Sequence, residues 1–383
     1  MDDERLIPRD QGLETTTTRE TQMIDKNIMI NRLQAVVEGV VQNPDTDTPG
    51  ALLSARTPEV GSMCVAAGLS EIETGTMLEP NDKFRAGSVM KLLVSAVTLQ
   101  LAEEGLFSLD DVLATVVPAD VAAMFASSDQ ITIRMLLNHT SGIPEWLTDA
   151  VGAEIAGNPT KIITDTEYFQ MAADQTPYFT PGDGFTYSNT DYNLLGLVIE
   201  QATGLSWRSE IRERLVDPLY LYDTLLPEPG EIAIPGRHAH GYMDMGAGLM
   251  DMTEIDPSMA GAAGGHALVT TTDDLVRFLD ALLNGELFQK QETLDEMLTF
   301  VDMTQGKPPV GFAVGYGMGI MKFLLPGDIE MIGHAGTTGG YQCFVYNFPN
   351  QRTTISGMMS NMASDQMQLI APVLEILIPG FSL

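Results

Sequence analysis

The chain has 383 residues, 44% of them hydrophobic, with 52 acids against 20 bases and a formal charge of −32. That length and apolar content give a globular protein of one large or two ordinary domains. The charge excludes nucleic acid and anionic membrane surfaces, because phosphate binding needs clustered Lys and Arg.

No apolar run reaches the ~18 residues a membrane helix needs, so no membrane span is expected. Residues 1–30 lack the basic-then-apolar layout of a secretory leader. The expectation is a cytoplasmic protein if the sequence is complete, and a periplasmic or secreted one if a leader was removed. The dispersed acids and the scarcity of Lys fit a salt-adapted surface. Cys64 and Cys343 lie in apolar, strand-like runs and read as free thiols; a disulfide does not follow from a count of two.

In chain order, residues 1–24 read as a flexible polar tail, and Ile28 to Val41 has helical periodicity. Ala51–Ser54, Ser62–Ala67 and Thr76–Leu78 are strand candidates between Gly and Pro turns. An apolar helix follows Ser88 and stops near Glu104-Gly105. Leu109–Thr115 is a short helix or turn, and Ile131–Leu137 opens another helix. Residues 145–230 read as helices and loops, including Tyr192–Thr203 and Trp207–Leu215. Residues 231–262, rich in Gly, Met and Pro, read as one long loop. Thr272–Leu283 is a helix with Thr272 or Asp273 near its N-cap, and Leu294–Phe300 is another. Strand signals return at Gly319–Leu324, Glu330–Ile332, Tyr341–Asn347 and Thr353–Met359, before a closing helix over 364–377.

This order predicts an α/β (α+β) fold: an antiparallel sheet flanked by helices, with an inserted, mostly helical domain. The expected boundaries are 25–105 and 265–383 for the sheet domain and 106–264 for the helical one. The junction is where a cleft is expected.

Three stretches carry chemistry. In Gly87-Ser88-Val89-Met90-Lys91, a hydroxyl and an amine share one face at a helix N-terminus, as an activated nucleophile requires. No other Lys in the chain has a Ser three residues before it. The plain alternative is a capping Ser with a solvated Lys. In Phe185-Thr186-Tyr187-Ser188-Asn189, a Tyr and an Asn two apart face one way, or else are a half-buried ring and a helix cap. In Gly333-His334-Ala335-Gly336-Thr337-Thr338-Gly339-Gly340, the glycines mark close backbone or ligand approach, or else a turn with a surface His.

Together and in this order, Ser-x-x-Lys, Tyr-x-Asn and His-x-Gly resemble the serine β-lactamase and penicillin-binding protein superfamily. The closer likeness is to the class C β-lactamase, D-alanyl-D-alanine carboxypeptidase and esterase branch, from about residue 30 to the C-terminus. Supporting stretches include Leu136–Ile143, Ile234–Tyr242, Gly264–Leu275 and Tyr316–Gly319. The resemblance implies Ser88 as the acyl-forming nucleophile, with Lys91 and Tyr187 sharing the general-base work, His334 and Lys91 being available cations or donors. It implies that Asn189 binds the acyl-side amide, that the Ser88 and Thr337 amides form the oxyanion hole, and that Gly336 leaves a strand edge open to substrate. No cofactor and no metal is implied. The partners implied are small ester, amide, peptide or β-lactam substrates.

Departures bear on substrate. Ala335 stands where the family carries a hydroxyl, and His334 disfavours a true β-lactamase. Met321 stands where a carboxypeptidase carries an Arg for the substrate carboxylate; an apolar wall is expected there, with Lys322 facing the other way. His266 follows two glycines at a position usually small, and reads as lining the cleft or as a loop or surface His. His139 reads as structural. Met243, Met245, Met250, Met252 and Met259 are expected to cover the cleft. The functional expectation is a serine hydrolase of esterase or D-amino-acid amidase/peptidase type, ahead of carboxypeptidase and β-lactamase. The non-enzyme alternative is a penicillin-binding sensor that acylates without turnover.

Overall fold

The computed structural model describes residues 13–303, 313–378 and 381, with side chains from residue 26 onward. Among these, nine strands form one sheet: β1 (Gly50–Thr57), β2 (Gly61–Glu71), β3 (Thr76–Met77), β4 (Val301–Asp302), β5 (Ala313–Tyr316), β6 (Met321–Leu325), β7 (Ile329–Thr338), β8 (Tyr341–Phe348) and β9 (Thr353–Met359). Their spatial order is β3-β2-β1-β9-β8-β7-β6-β5-β4, and every pairing is antiparallel. The sheet expected from the sequence is present.

Alternation along the strands splits the interior into two cores. Ala51, Leu53, Phe344, Tyr346 and Met359 join a core covered by helices α1 (Leu13–Gln42) and α5 (Met367–Leu377). Leu52, Cys343, Val345 and Met358 join a larger core with α2 (Met90–Glu103) and α4 (Thr272–Leu283). Thr271 caps α4 by accepting from the Asp274 amide at 3.2 Å, with Asp273 and Asp274 in the first turn, one residue before the predicted cap.

Helix α1 begins at Leu13, inside the stretch read as a tail; residues 1–12 lie outside the described residues. No Gly or Pro occurs between Gly12 and Gly39, so nothing in the sequence stops the helix before residue 28. The 231–262 stretch is not all loop. A hairpin pairs Tyr242–Asp244 with Leu249–Asp251. Its strands are three residues long and its turn holds Gly246 and Gly248, too short for a period-2 signal. The helix expected at Leu294–Phe300 runs instead from Gln291 to Met297. Cys64 and Cys343 are both free thiols.

Two features of the sheet place the site. Strand β6 pairs with β7 only as far as Met321↔Gly333, so residues 334–338 have β8 on one side and an open edge on the other. The short helical turn Gly87–Val89 packs against that open stretch and leads into α2. Helix α3 (Asn189–Thr203) packs against α2 from the helical side.

Candidate active site

Ser88 sits in the Gly87–Val89 turn, half-buried, with the Val89 amide donating to the Ala86 carbonyl at 3.2 Å. Glycines clamp the turn from three sides. Gly87 has φ +52, and a Cβ there would come within 3.0 Å of the Thr337 carbonyl oxygen. A Cβ at Gly264 would lie 2.3 Å from the Gly87 carbonyl oxygen, and one at Gly336 would lie 2.1 Å from that of Ala86. The missing side chain of Gly336 therefore serves close packing of the Ser88 turn; the open edge comes from the early departure of β6.

Lys91 is fully buried on α2. Its Nζ lies 3.3 Å from Ser88 Oγ, 2.7 Å from Asn189 Oδ1 and 2.6 Å from the Ala263 carbonyl. Burial lowers its pKa to about 7, while Glu145 and Asp191 oppose the shift. A neutral amine has two N–H donors and one lone pair. The two short contacts, both to acceptors, take the donors, which leaves the lone pair facing the Ser88 hydroxyl.

Burial raises the Tyr187 pKa well above the usual phenol value, against a smaller opposing effect of the neighbouring Ser88. Lys91 Nζ lies 4.8 Å from the centre of its ring. His334, expected as an available cation or donor, is fully buried and uncharged: burial, then Lys91, lowers its pKa to about 3. Its Nδ1 donates to the Ala335 carbonyl at 2.5 Å, so Nε2 accepts from the Tyr316 hydroxyl at 3.1 Å. No positive charge from His334 reaches Tyr187, which therefore stays a neutral phenol.

Glu145 is a residue the sequence reading missed. Its Oε2 accepts from the Asn189 amide at 2.7 Å, capping α3, and its Oε1 accepts from the Leu147 amide at 2.7 Å. A carboxylate 44 residues before its partner leaves no local sequence signal. His139 plays the structural part expected. It adopts φ +59, its Nδ1 is 2.9 Å from Asp191 Oδ2, and its ring lies 4.5 Å from that of Tyr187. Burial pushes the Asp191 carboxyl well up and the His139 ring well down.

A cavity of about 580 Å³ opens on Ser88, with Asn189 and Thr337 in its wall. Met243, Met245, Met252 and Met259 line it as expected, joined by Met362; Met250 does not. Lys91 and Tyr187 stand behind Ser88. Among the described lining residues there is no Lys or Arg, and the one charged side chain is Asp149.

Four expected positions lie elsewhere. Met321 is 1% exposed and belongs to the α1/α5 core, paired with Gly333 and Tyr316. It is core because β6 stands inside the sheet, between β7 and β5. Lys322 does face the other way, 2.5 Å from Glu330. Ala335 is buried in the same core as Met321. His334 and Gly336 are buried behind the wall. His266 lies in a loop, as one reading has it, but it is neither on the surface nor in the cavity wall: it is completely buried and has no hydrogen-bond partner at either ring nitrogen. Gly264 and Gly265, at φ +123 and +46, turn it inward behind Gly339, where a Cβ would come within 3.1 Å of its Nε2. Because Met321 is core, Met321→Arg is expected to cost roughly 3 kcal/mol or more of stability, read as a lowered midpoint in urea unfolding, and to create no carboxylate pocket.

Among the described residues, no group of three or more His, Cys, Asp or Glu side chains is placed to hold a metal ion, and no helix is long and apolar enough to cross a membrane. The family model described as Beta-lactamase matches residues 33–376. Penicillin-binding protein 4* of Bacillus subtilis (strain 168) is 26% identical over 314 residues, covering 78% of this chain and 65% of that protein. Penicillin-binding protein 4 of Amycolatopsis lactamdurans is 30% identical over 218 residues, covering 56% of this chain and 54% of that protein. The chain thus spans less than two thirds of the length of these curated relatives. Among solved structures, the D-stereospecific amidohydrolase from Streptomyces sp. superposes with a TM-score of 0.80 at 30% identity, covering 92% of this chain and 99% of that one. The D-amino acid amidase from Ochrobactrum anthropi SV3, complexed with L-phenylalanine amide, superposes at 0.78 with 24% identity, covering 91% and 98%; at that identity the likeness is one of fold.

Proposed function

The chain belongs to the beta-lactamase family, and on that premise we propose that it cleaves ester and amide bonds lacking a neighbouring carboxylate, through an acyl-enzyme on Ser88. The observation that carries this reading is the amine of Lys91, 3.3 Å from Ser88 Oγ with a pKa brought to about 7. A base is most effective when its pKa lies near the working pH.

Lys91 takes the Ser88 proton as Oγ attacks the carbonyl carbon. Tyr187, a neutral phenol beside Ser88, relays a proton to the leaving group and does not act as a phenolate base. The Ser88 and Thr337 amides receive the oxyanion; donors of this kind are worth about 3–4 kcal/mol of barrier. Asn189 uses Oδ1 on Lys91, and its side-chain N–H groups remain for the substrate. Water then attacks the acyl-enzyme by the same proton path in reverse.

Esterase or D-amino-acid amidase activity of the class C type fits better than carboxypeptidase or β-lactamase activity. Those last two act on substrates with a carboxylate, and the described cavity wall offers no cation to hold one. The experiment is intact-protein mass spectrometry during turnover of p-nitrophenyl butyrate and of a D-amino-acid amide. A transient acyl adduct on Ser88 with continuing product release is expected. An adduct that persists without turnover would mean a sensor and not a hydrolase.

A pH dependence follows from the site. Lys91 must be neutral to accept a proton, so kcat/KM for a neutral ester should rise with pH through about 7 and then level. Glu145 holds the Lys91 pKa up. Glu145→Gln, which keeps the acceptor for the Asn189 amide, should move that limb to lower pH. A limb left in place would remove Glu145 from the control of Lys91.

A further inference from the structure

The cavity on Ser88 has a mostly apolar body; its polar lining residues are Ser88, Thr148, Asp149, Asn189, Thr337 and Thr338. The body is walled by five methionines from separated segments. Met243 and Met245 come from the hairpin, Met252 and Met259 from the stretch after it, and Met362 from beyond β9. Leu147 and Ile155 close the opposite side. A volume of about 580 Å³ lies within the range of sites that enclose whole small-molecule ligands. An acetyl group fills a small part of it.

Met is unbranched, with three rotatable bonds and a polarisable sulfur, so a wall built from it refits to ligands of different shape. Branched side chains would make a pocket of one shape. The single charged lining residue is an acid, Asp149, and the whole protein carries −32, so a second anion is repelled from the body.

From this arrangement, and resting on the hydrolase reading above, we infer that the methionine-walled body selects a large, flexible, uncharged acyl group of medium-chain length. In acylation the Ser88 Oγ–acyl carbon bond forms and the ester C–O bond breaks, the alcohol leaving with the proton that Ser88 gave up. In deacylation water supplies the hydroxyl of the released acid and returns a proton to Ser88. The acyl chain stays in the methionine body through both steps.

The test uses the full chain and p-nitrophenyl esters from acetate to decanoate, with a fluorophosphonate probe to count competent Ser88. kcat/KM is expected to rise roughly two- to threefold per methylene up to about octanoate, as buried methylenes leave water. A terminal carboxylate on the octanoyl probe should cost at least about tenfold. The double variant Met243→Gln/Met245→Gln should lower the octanoate-to-acetate ratio about tenfold, and Leu at both positions should restore most of it. A series that is flat or falls beyond butyrate, with full fluorophosphonate labelling, overturns the acyl-pocket inference and leaves the hydrolase intact. No labelling and no ester turnover overturns the hydrolase reading and this inference with it.

Discussion

Ser88→Ala is expected to lower kcat for ester hydrolysis by about 10⁶-fold while the protein melts within about 2 °C of the parent. The hydroxyl is half-buried and its loss leaves no large void, so the fold has little reason to change. Lys91→Met should lose nearly as much activity, and the double variant no more than either alone, because the two residues perform one step. The contact geometry makes this specific: with Asn189 and Ala263 holding the two N–H groups, the lone pair has one partner to serve. Independent, multiplying losses in the double variant would place the Ser88 proton on some other group.

The second large effect is predicted at a residue with no side chain of its own. Gly264→Ala should cost roughly 2–4 kcal/mol of stability and about 10²-fold in kcat/KM. The backbone there has φ +123, which side chains rarely adopt, and the new Cβ would stand 2.3 Å from the Gly87 carbonyl oxygen and 3.0 Å from the Ser88 Cα. Neither neighbour is a flexible side chain, so the strain moves the nucleophile itself. A displacement of about 1 Å is enough for the kinetic loss. Urea unfolding and ester kinetics on the same preparation check both parts; normal kcat/KM would show that the clamp does not position Ser88.

What the sequence disclosed depended on whether the signal was local. The Thr272–Leu283 helix and the Thr353–Met359 strand came out with the predicted limits, because amphipathic period and β-branched content lie within the segment. Ser88, Lys91, Tyr187 and Asn189 were legible as spaced motifs. Glu145, which caps α3 and bears on Lys91, was not: its importance comes from a contact made across 44 residues. Met321 was misplaced because counting along a strand gives facing without telling which strand stands outside it. The sequence leaves His334 open as a cation or a donor; burial removes the charge, a property of the packed state alone. His266 is in a loop as read, but its burial is not legible, because the inward turn at Gly264-Gly265 leaves no trace in hydropathy.

The pairing of β1 with β9 has a consequence in time. Ala51 lies against Met359, so the sheet joins two segments far apart along the chain. At about 5–20 residues per second, a ribosome needs on the order of tens of seconds to deliver β9 after β1 has emerged. Throughout that interval the Ser88 turn has neither Gly336 against it nor Thr337 beside it. The nascent chain carries its nucleophile unarmed, and catalytic power arrives as one late event when the last strands dock. Contacts of such separation also make folding slow, so the waiting edge of β1 is the surface a chaperone would have to guard.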